Sequence, residues 1–267
     1  MIIDSLLNLI ARNPKISKIG SRFADVIFPD LTKTYRVKIG PARNLKFKLN
    51  ARTQTALLFG TYERTNIDLL LTRVSRETVF WDIGAHIGYF TCIMSRHLTN
   101  GCVVAVEPFP DNVKLLYEHI MLNDLRNVIV IEKALSSYEG EATFSIAHNS
   151  SMDKIVNNIE CSESKTINVP VATIGALVNA RLPAPHIIKV DAEGEEGHIL
   201  EGARTVLQIH RPSCLIMIHT PEAAQICWDV LRSNRYNIRF LNTSTFLKKA
   251  EKPKDICGRH IWAEPIK

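Results

Sequence analysis

Several features that mark membrane, secreted or metal-binding proteins are missing from this sequence. None of its apolar runs approaches the roughly 18–20 residues that a membrane-spanning helix needs. The six cysteines form no C-x-x-C pair, and the nine histidines show neither H-x3-H nor H-E-x-x-H spacing, so no metal site is expected. Residues 1–15 carry Asp4 before an apolar stretch and have no basic n-region. We therefore expect no signal peptide and a cytoplasmic protein with reduced thiols.

Two common phosphate-binding signatures are also missing. The pattern G-x-x-x-x-G-K-[ST] of ATP- and GTP-binding loops does not occur. The dinucleotide fingerprint G-x-G-x-x-G fails because the turn reads Gly84-x-x-x-Gly88, with His86 in place of the second glycine. That glycine lets the backbone approach a pyrophosphate closely. An NAD-dependent oxidoreductase is therefore a less favoured alternative.

Positive charge is concentrated in the first 55 residues, which hold 11 lysines and arginines against 3 acids, whereas the remainder holds 22 against 24. We expect a basic N-terminal extension over 1–56, made of an amphipathic helix at 2–12 and a hairpin, and a larger domain over 57–267. Alternation places Arg36 and Lys38 on one face of the first strand of the hairpin, and Lys46 and Lys48 on one face of the second. The extension is either a solvated face or a surface that attracts an anionic acceptor or, peripherally, an anionic membrane.

From residue 78 onward, short apolar strands alternate with amphipathic helices, which predicts an α/β fold with a mostly parallel sheet covered on both faces. The predicted strands are 78–82, 102–107, 128–132, 186–191, 213–218, 236–241 and one near 259–264, and the predicted helices are 88–98, 111–122, 195–208 and 221–233. Residues 53–74 look helical with an interruption near Gly60. We interpret the polar stretch 147–168 as a surface loop beside the ligand crevice, and 248–255 as an exposed loop.

An acid, Asp82, ends the first strand of this alternation, two residues before Gly84. A carboxylate at that position repels a phosphate and attracts a cation. S-adenosylmethionine has no phosphate and carries an ammonium and a sulfonium group, so it suits the site better than a dinucleotide does. The glycines let the backbone pass close to its methionine part.

Other acids end neighbouring strands of the predicted sheet. Glu107 follows the second strand, where an acid accepts hydrogen bonds from ribose hydroxyls in many nucleotide-binding folds. Asp191 ends a later strand, and Glu193 lies in the turn behind it. Because ligands bind outside the carboxyl ends of parallel strands, we expect Asp191 in the same crevice as Asp82 and Glu107. A cationic ligand, Lys189 or a substrate hydroxyl would offset their mutual repulsion.

With these motifs in order, the chain resembles the FkbM-type methyltransferases, an S-adenosylmethionine-dependent family with the class I, Rossmann-like fold. The matching stretches are "GTYE" (60–63), "DIGAHIGYFT" (82–91), "VVAVEPFPDN" (103–112), "EKALSSYEGEATF" (132–144) and "IKVDAEGEEGHILEGA" (188–203). The resemblance implies a mostly parallel seven-stranded sheet flanked by helices, with S-adenosyl-L-methionine as the cofactor.

Residue roles follow from the resemblance by position. Glu107 would take the ribose, Lys133–Leu135 would pass the adenine edge, and Asp191 and Glu193 match the family's acidic signature. The residues implied to bind the cofactor are Glu63, Asp82, Gly84, Ala85, His86, Gly88, Thr91, Glu107, Pro108, Lys133, Ala134 and Leu135. Two positions depart from the family pattern: Ile174-Gly175 stands where Leu-Asp is common, and Met217 where Glu is common.

A hydroxyl acceptor needs a general base, because its proton must leave as the methyl group arrives. Asp191 is the first candidate, His219 at the end of a later strand is the second, and His86 in the turn is the third. By family analogy the acceptor is a hydroxyl on a sugar or glycan, or on a small natural product.

A nucleic-acid methyltransferase is the other alternative, since the sequence pI is near 9.0. The sequence lacks the [DN]-P-P-[YF] signature of amino-nitrogen methylation, a Pro-Cys pair for cytosine attack, and an aromatic ladder among its basic residues. No nucleic-acid partner is therefore expected, and the oligomeric state is not predicted.

Overall fold

The computed structural model describes residues 32–146, 154–155, 165–241 and 247–266. The helix predicted at 2–12 lies outside the described residues. The strands are β1 (Thr32–Arg36), β2 (Lys46–Asn50), β3 (Val79–Ile83), β4 (Cys102–Val106), β5 (Val128–Ile131), β6 (Ala134–Leu135), β7 (Gly140–Ile146), β8 (Lys154–Ile155), β9 (Lys165–Ala172), β10 (Ile187–Val190), β11 (Ser213–Met217), β12 (Tyr236–Leu241), β13 (Leu247–Lys249) and β14 (His260–Pro265). The helices are α1 (Thr55–Leu58), α2 (Arg64–Leu71), α3 (Tyr89–His97), α4 (Pro110–Leu122), α5 (Ile174–Asn179), α6 (Glu196–Glu201), α7 (Arg204–Ile209) and α8 (Pro221–Ser233), with a 3-10 turn at Pro253–Asp255.

The main sheet has the order β13-β12-β14-β11-β10-β3-β4-β5. Strands β11, β10, β3, β4 and β5 run parallel, whereas β14, β12 and β13 join through antiparallel pairs. The sequence placed its seven predicted strands within one residue at each end. The expected count of seven is wrong for the main sheet, which has eight, because β13 pairs with the outer edge of β12. That strand also occupies the start of the stretch predicted as an exposed loop at 248–255.

A second sheet, with the order β6-β9-β7-β8, extends into the stretch 147–168 that the sequence predicted as a loop. The loop prediction is wrong for 154–155 and 165–168, which are strand. Strand β9 pairs antiparallel with β7 from Gly140↔Val171 to Ile146↔Lys165. This pairing supplies hydrogen-bond partners for the backbone of β9, and a polar sequence does not reveal it. Residues 147–153 and 156–164 lie outside the described residues.

The helix predicted over 195–208 is two helices, α6 and α7, separated at Gly202-Ala203. A Cβ on Gly202 would lie 2.3 Å from the Ser136 carbonyl oxygen, so the chain passes too close to the second sheet for any side chain there. The break therefore coincides with a close backbone contact to a segment distant in sequence.

The β1–β2 hairpin shares the core of the main domain. Phe47 and Leu49 are fully buried in one cluster with Phe80 and Ile93. Buried His119 of α4 fixes the hairpin beside the ligand site: its Nδ1 is 2.7 Å from the Ile87 carbonyl oxygen, and its Nε2 accepts the Lys48 N–H at 2.9 Å. The hairpin is thereby tied to the glycine turn. No helix among the described residues is long and apolar enough to cross a membrane.

Candidate cofactor and acceptor site

A cavity of about 580 Å3 lies at the carboxyl ends of β3, β4 and β10. Its floor is the glycine turn 83–87, one wall is formed by 106–109, and the opposite wall by 189–193. Pro108, Lys133, Ala134 and Leu135 line it as predicted, together with Gly84, Ala85, His86, Glu107, Asp191 and Glu193. The structure thus brings most of the predicted site residues together.

Gly84 occupies a position that no other residue fits easily. Its φ is +71°, and a Cβ there would lie 1.9 Å from the carbonyl oxygen of Asp191. The turn therefore packs directly on the segment after β10. Gly88, with φ +85°, begins α3 and lies against Leu116 rather than in the cavity. The two glycines shape the turn, and of the two only Gly84 lines the cavity.

Glu107 is nearly buried at the end of β4 and orders the turn opposite it. Its carboxylate accepts the backbone N–H of His86 at 2.7 Å, the backbone N–H of Phe109 at 3.1 Å and the Asn112 amide at 3.1 Å. Burial raises its pKa, and these three donors act against that rise. Oε1 already accepts two of these bonds, whereas Oε2 accepts only the His86 N–H, so Oε2 can still receive one donor from a ligand in the cavity.

Asp82 lies beneath the turn and does not line the cavity. Its Oδ1 is 3.0 Å from the ammonium of Lys189, and its Oδ2 accepts the Thr91 hydroxyl at 2.6 Å. Lys189 also donates to the Gly84 carbonyl oxygen at 2.9 Å. Asp82 and Thr91 therefore support the turn from below, and Lys189 offsets the charge of the acid.

Burial alone would lower the pKa of Lys189, but the carboxylates of Asp82 and Asp191 outweigh burial and raise it. The side chain stays protonated and lies 5.2 Å from the centre of the Phe90 ring. A cation inserted between two acids on adjacent strands explains how the structure tolerates both charges in one crevice.

His219 follows β11 and stands beside the acids of the cavity rim. Its Nδ1 lies 2.8 Å from Oε1 of Glu196, and its Nε2 lies 3.6 Å from Asp191 and 3.8 Å from Glu193. Glu196 is fully buried and also accepts the Gly194 N–H at 2.9 Å. The hydrogen bond to Glu196 is the main cause of a raised His219 pKa. With Nδ1 as the donor to Glu196, the lone pair of Nε2 is directed toward Asp191 and Glu193.

Glu63, also predicted to meet the cofactor, lies outside the cavity lining. Its carboxylate accepts the Asn66 amide at 2.7 Å and lies 3.3 Å from Nε2 of His260. Burial opposes ionisation of Glu63, but these two partners outweigh it and lower its pKa. The contact joins the start of α2 to the start of β14, behind the cavity-lining Tyr62.

Two polar atoms in the cavity lining are buried and have no hydrogen-bond partner among the described residues: Nε2 of His86 and the hydroxyl of Tyr89. Burial lowers the pKa of His86, so its ring is neutral near pH 7. Buried polar atoms are normally satisfied. Neither of these two atoms has appreciable accessible surface, so both face the interior of the wall and not the cavity.

Sequence reasoning missed several residues of the lining. The segment 53–57 and Tyr62 cover one end of the cavity, and Phe144 of the second sheet closes another part. They lie outside the strand-end motifs, and only the tertiary fold brings them to the site. Glu196 was missed as well, although it lies within a stretch, "DAEGEE", that the sequence singled out.

The family model for the methyltransferase FkbM domain matches residues 82–257, which is more than half of the chain. The chain belongs to the FkbM methyltransferase family. The prediction of a Rossmann-like, S-adenosylmethionine-dependent methyltransferase domain is confirmed at the level of this family. The comparisons do not favour the two alternative functions.

Two relatives illustrate the similarity. The hexuronic acid methyltransferase AglP of Haloferax volcanii is 32% identical over 151 residues, which are 55% of this chain and 58% of that protein. The crystal structure of methyltransferase FkbM from Methylobacillus flagellatus superposes with a TM-score of 0.52 at 20% identity, over 76% of this chain and 46% of that one. The chain thus spans about half the length of these relatives, and the crystal structure supports the fold alone.

The residues present fit S-adenosylmethionine. A volume near 580 Å3 is in the range of cofactor sites. The Glu107 carboxylate can accept a hydrogen bond from a ribose hydroxyl. At the Gly84 turn and beside Ala134 and Leu135, the cofactor can lie close to the protein backbone. Among the described residues, no group of three or more histidines, cysteines and acids is arranged to hold a metal ion.

Proposed function

We propose that this protein transfers a methyl group from S-adenosylmethionine to a hydroxyl group of a sugar. The observation that carries the proposal is the adjacency of two features: a cavity with cofactor-binding groups at the turn and Glu107, and the Glu196–His219 pair beside its acidic rim. The similarity to the Haloferax volcanii hexuronic acid methyltransferase supports a sugar acceptor.

The chain's own groups would hold the cofactor by complementarity. Glu107 would receive a ribose hydroxyl at Oε2, and the backbone of the Gly84–His86 turn would lie along the methionine part. When bound, S-adenosylmethionine supplies a methyl group already activated for transfer, so positioning accounts for much of the catalysis.

His219 is our choice for the general base. With Nδ1–H donated to Glu196, its Nε2 carries a lone pair and can accept the hydroxyl proton of an acceptor at the rim. Asp191, 3.6 Å away, can accept a second hydrogen bond from the acceptor and hold it against Nε2. The structure therefore supports different roles for the two predicted catalytic residues: proton acceptor for His219 and orienting group for Asp191.

The test is a methyl-transfer assay with labelled S-adenosylmethionine and a panel of free sugars and methyl glycosides, with products located by mass spectrometry. We expect O-methylated sugar, and a fall in kcat of about 100- to 10,000-fold for His219→Ala, with S-adenosylhomocysteine still bound. His210→Ala is the control, because His210 is an exposed residue after α7. Transfer only to a nucleic acid, or an unaltered His219→Ala enzyme, would contradict the proposal.

A further inference from the structure

We propose that the acceptor end of the cavity selects an uncharged pyranose, stacked on Tyr62 and held through its hydroxyls by Asp191 and Glu193, and discriminates against uronates. This inference rests on the proposed sugar methyltransferase function and specifies its substrate class. It also differs from what the name of the Haloferax volcanii relative suggests.

Tyr62 has the geometry of a stacking platform. Its side chain lines the cavity, yet the residue is 39% exposed. The ring meets Tyr89 edge-on, with centroids 5.7 Å apart and an interplanar angle of 87°, and Tyr89 in turn contacts Phe47 at 5.3 Å. The inner aromatic rings thus hold Tyr62 in place while part of its surface remains open. A partly exposed aromatic ring in a cavity wall offers apolar surface to the C–H groups of a sugar ring.

The charges around Tyr62 are mainly negative. Burial raises its pKa most, and the carboxylates of Glu63 and Asp191 raise it further. Asp191 and Glu193 line the cavity on the same side. Carboxylates only accept hydrogen bonds, so they match the donors of neutral vicinal hydroxyls and repel another carboxylate.

No cation in the described lining is available to balance a uronate at this end. Two lysines line the cavity. Lys189 already interacts with Asp82 and the Gly84 carbonyl oxygen. Lys133 lies next to Ala134 and Leu135, on the wall that we expect to meet adenine. His219 contributes a positive charge only when it is protonated, in which state it cannot serve as the base.

The basic hairpin does not change this balance. Arg36, Lys38, Lys46 and Lys48 are all outside the cavity lining. Lys48 pairs with Glu118 at 3.0 Å on the α4 side of the hairpin. The sequence-based hypothesis that this face attracts an anionic acceptor therefore concerns a surface separate from the cavity.

The experiment uses the full chain saturated with S-adenosylhomocysteine and measures sugar dissociation constants by saturation-transfer NMR. The probes are the methyl glycosides of glucose, galactose and mannose, each beside its uronate. Within a pair the two ligands differ only at C6. We expect the neutral member to bind at least tenfold more tightly wherever either member binds.

Variants test the two parts of the proposal separately. Tyr62→Leu should weaken neutral-glycoside binding at least tenfold, while Tyr62→Phe, which keeps the ring, should retain it within about threefold. Glu193→Gln removes one negative charge and should narrow the preference for the neutral ligand several-fold. The affinity for S-adenosylhomocysteine is measured for each variant and should stay within about threefold of wild type.

Three results would overturn the inference while leaving the proposed function intact. A uronate could bind more tightly than its neutral partner, or Tyr62→Leu could leave sugar affinity unchanged. The third is that the complex with S-adenosylhomocysteine binds none of the sugar probes. A parallel loss of S-adenosylhomocysteine affinity in Tyr62→Leu would make Tyr62 part of the cofactor wall and would also overturn it. Failure of wild-type protein to bind S-adenosylhomocysteine would instead overturn the proposed function and this inference together.

Discussion

The ammonium of Lys189 lies 3.0 Å from Oδ1 of Asp82 beneath the glycine turn, and both side chains are buried. The pair joins two adjacent parallel strands, since Lys189 is directly opposite Asp82 in the register of β10 and β3. Asp82 therefore supports the glycine turn, which is the floor of the cavity, through Lys189 and does not present a free charge to the cavity.

Removing the acid alone should destabilise the protein. Asp82→Ala leaves Lys189 buried without its main counter-charge, for which we expect a loss of roughly 3–5 kcal/mol in the free energy of unfolding. The double variant Asp82→Ala/Lys189→Met should recover much of that loss. Urea unfolding measures both. Glu201→Ala, which removes partly exposed ion pairs, should cost at most about 1 kcal/mol. An Asp82→Ala variant as stable as Glu201→Ala would show that the buried pair is not needed.

Alanine substitutions at two glycines with similar φ angles distinguish the cost of backbone strain from the cost of a steric clash. Gly84 and Gly258 have φ of +71° and +68°, but a Cβ at Gly258 meets nothing within 4 Å. Gly258→Ala should cost about 1–2 kcal/mol. Gly84→Ala must also displace the Asp191 carbonyl, so it should cost about 2–5 kcal/mol and weaken S-adenosylhomocysteine binding. Thermal unfolding and calorimetry test this, and equal costs at the two sites would refute the close contact.

Methyl transfer should depend on the protonation of His219. Its pKa is raised above the ordinary 6.5, chiefly by Glu196, so kcat/KM should rise with pH through that elevated value as Nε2 becomes free. Glu196→Gln should lower the pKa and move the acidic limb to lower pH. NMR titration of the His219 ring gives the same shift without turnover. If Glu196→Gln left the ring titration where it was, Glu196 would have no positioning role.

The raised pKa of His219 affects stability in the opposite direction: stability falls with rising pH over the range in which kcat/KM rises. A histidine whose folded-state pKa is raised contributes stability at pH values below its unfolded pKa, and this contribution is lost as the pH rises through the folded value. Wild-type protein should therefore lose a small increment of stability over that window relative to His219→Gln. Urea unfolding at closely spaced pH values checks this, and parallel curves for the two proteins would contradict it.

Much of the fold and part of the site could be predicted from sequence. Strand ends are encoded locally, because apolar runs such as "VVAV" end at an acid or a turn, and Gly84, Glu107 and Asp191 meet in the crevice as expected. Strand β13 and the second sheet were not foreseen, since their strands are short or polar and depend on pairing with distant segments.

The partners of the site residues were harder to foresee than their locations. In the sequence, Lys189 was only one of several groups that could balance the acids. Glu196 could not be singled out, because the sequence does not show which of the several acids in a turn is buried. Tyr62 and Phe144 reach the cavity through tertiary packing. The extent of the extension over 1–56 and its contact with a membrane surface stay predictions.

The most direct test of the account is calorimetric titration of the full chain with S-adenosylhomocysteine and with NAD⁺, repeated on Glu107→Gln. Glu107→Gln is preferred to Asp82→Ala because it leaves the buried pair intact, and the unfolding midpoint serves as its folding control. The account predicts one-to-one binding of S-adenosylhomocysteine alone, weakened at least tenfold by Glu107→Gln. Binding of NAD⁺ in its place, or an affinity indifferent to Glu107→Gln, would contradict a sulfonium-cofactor site at the glycine turn.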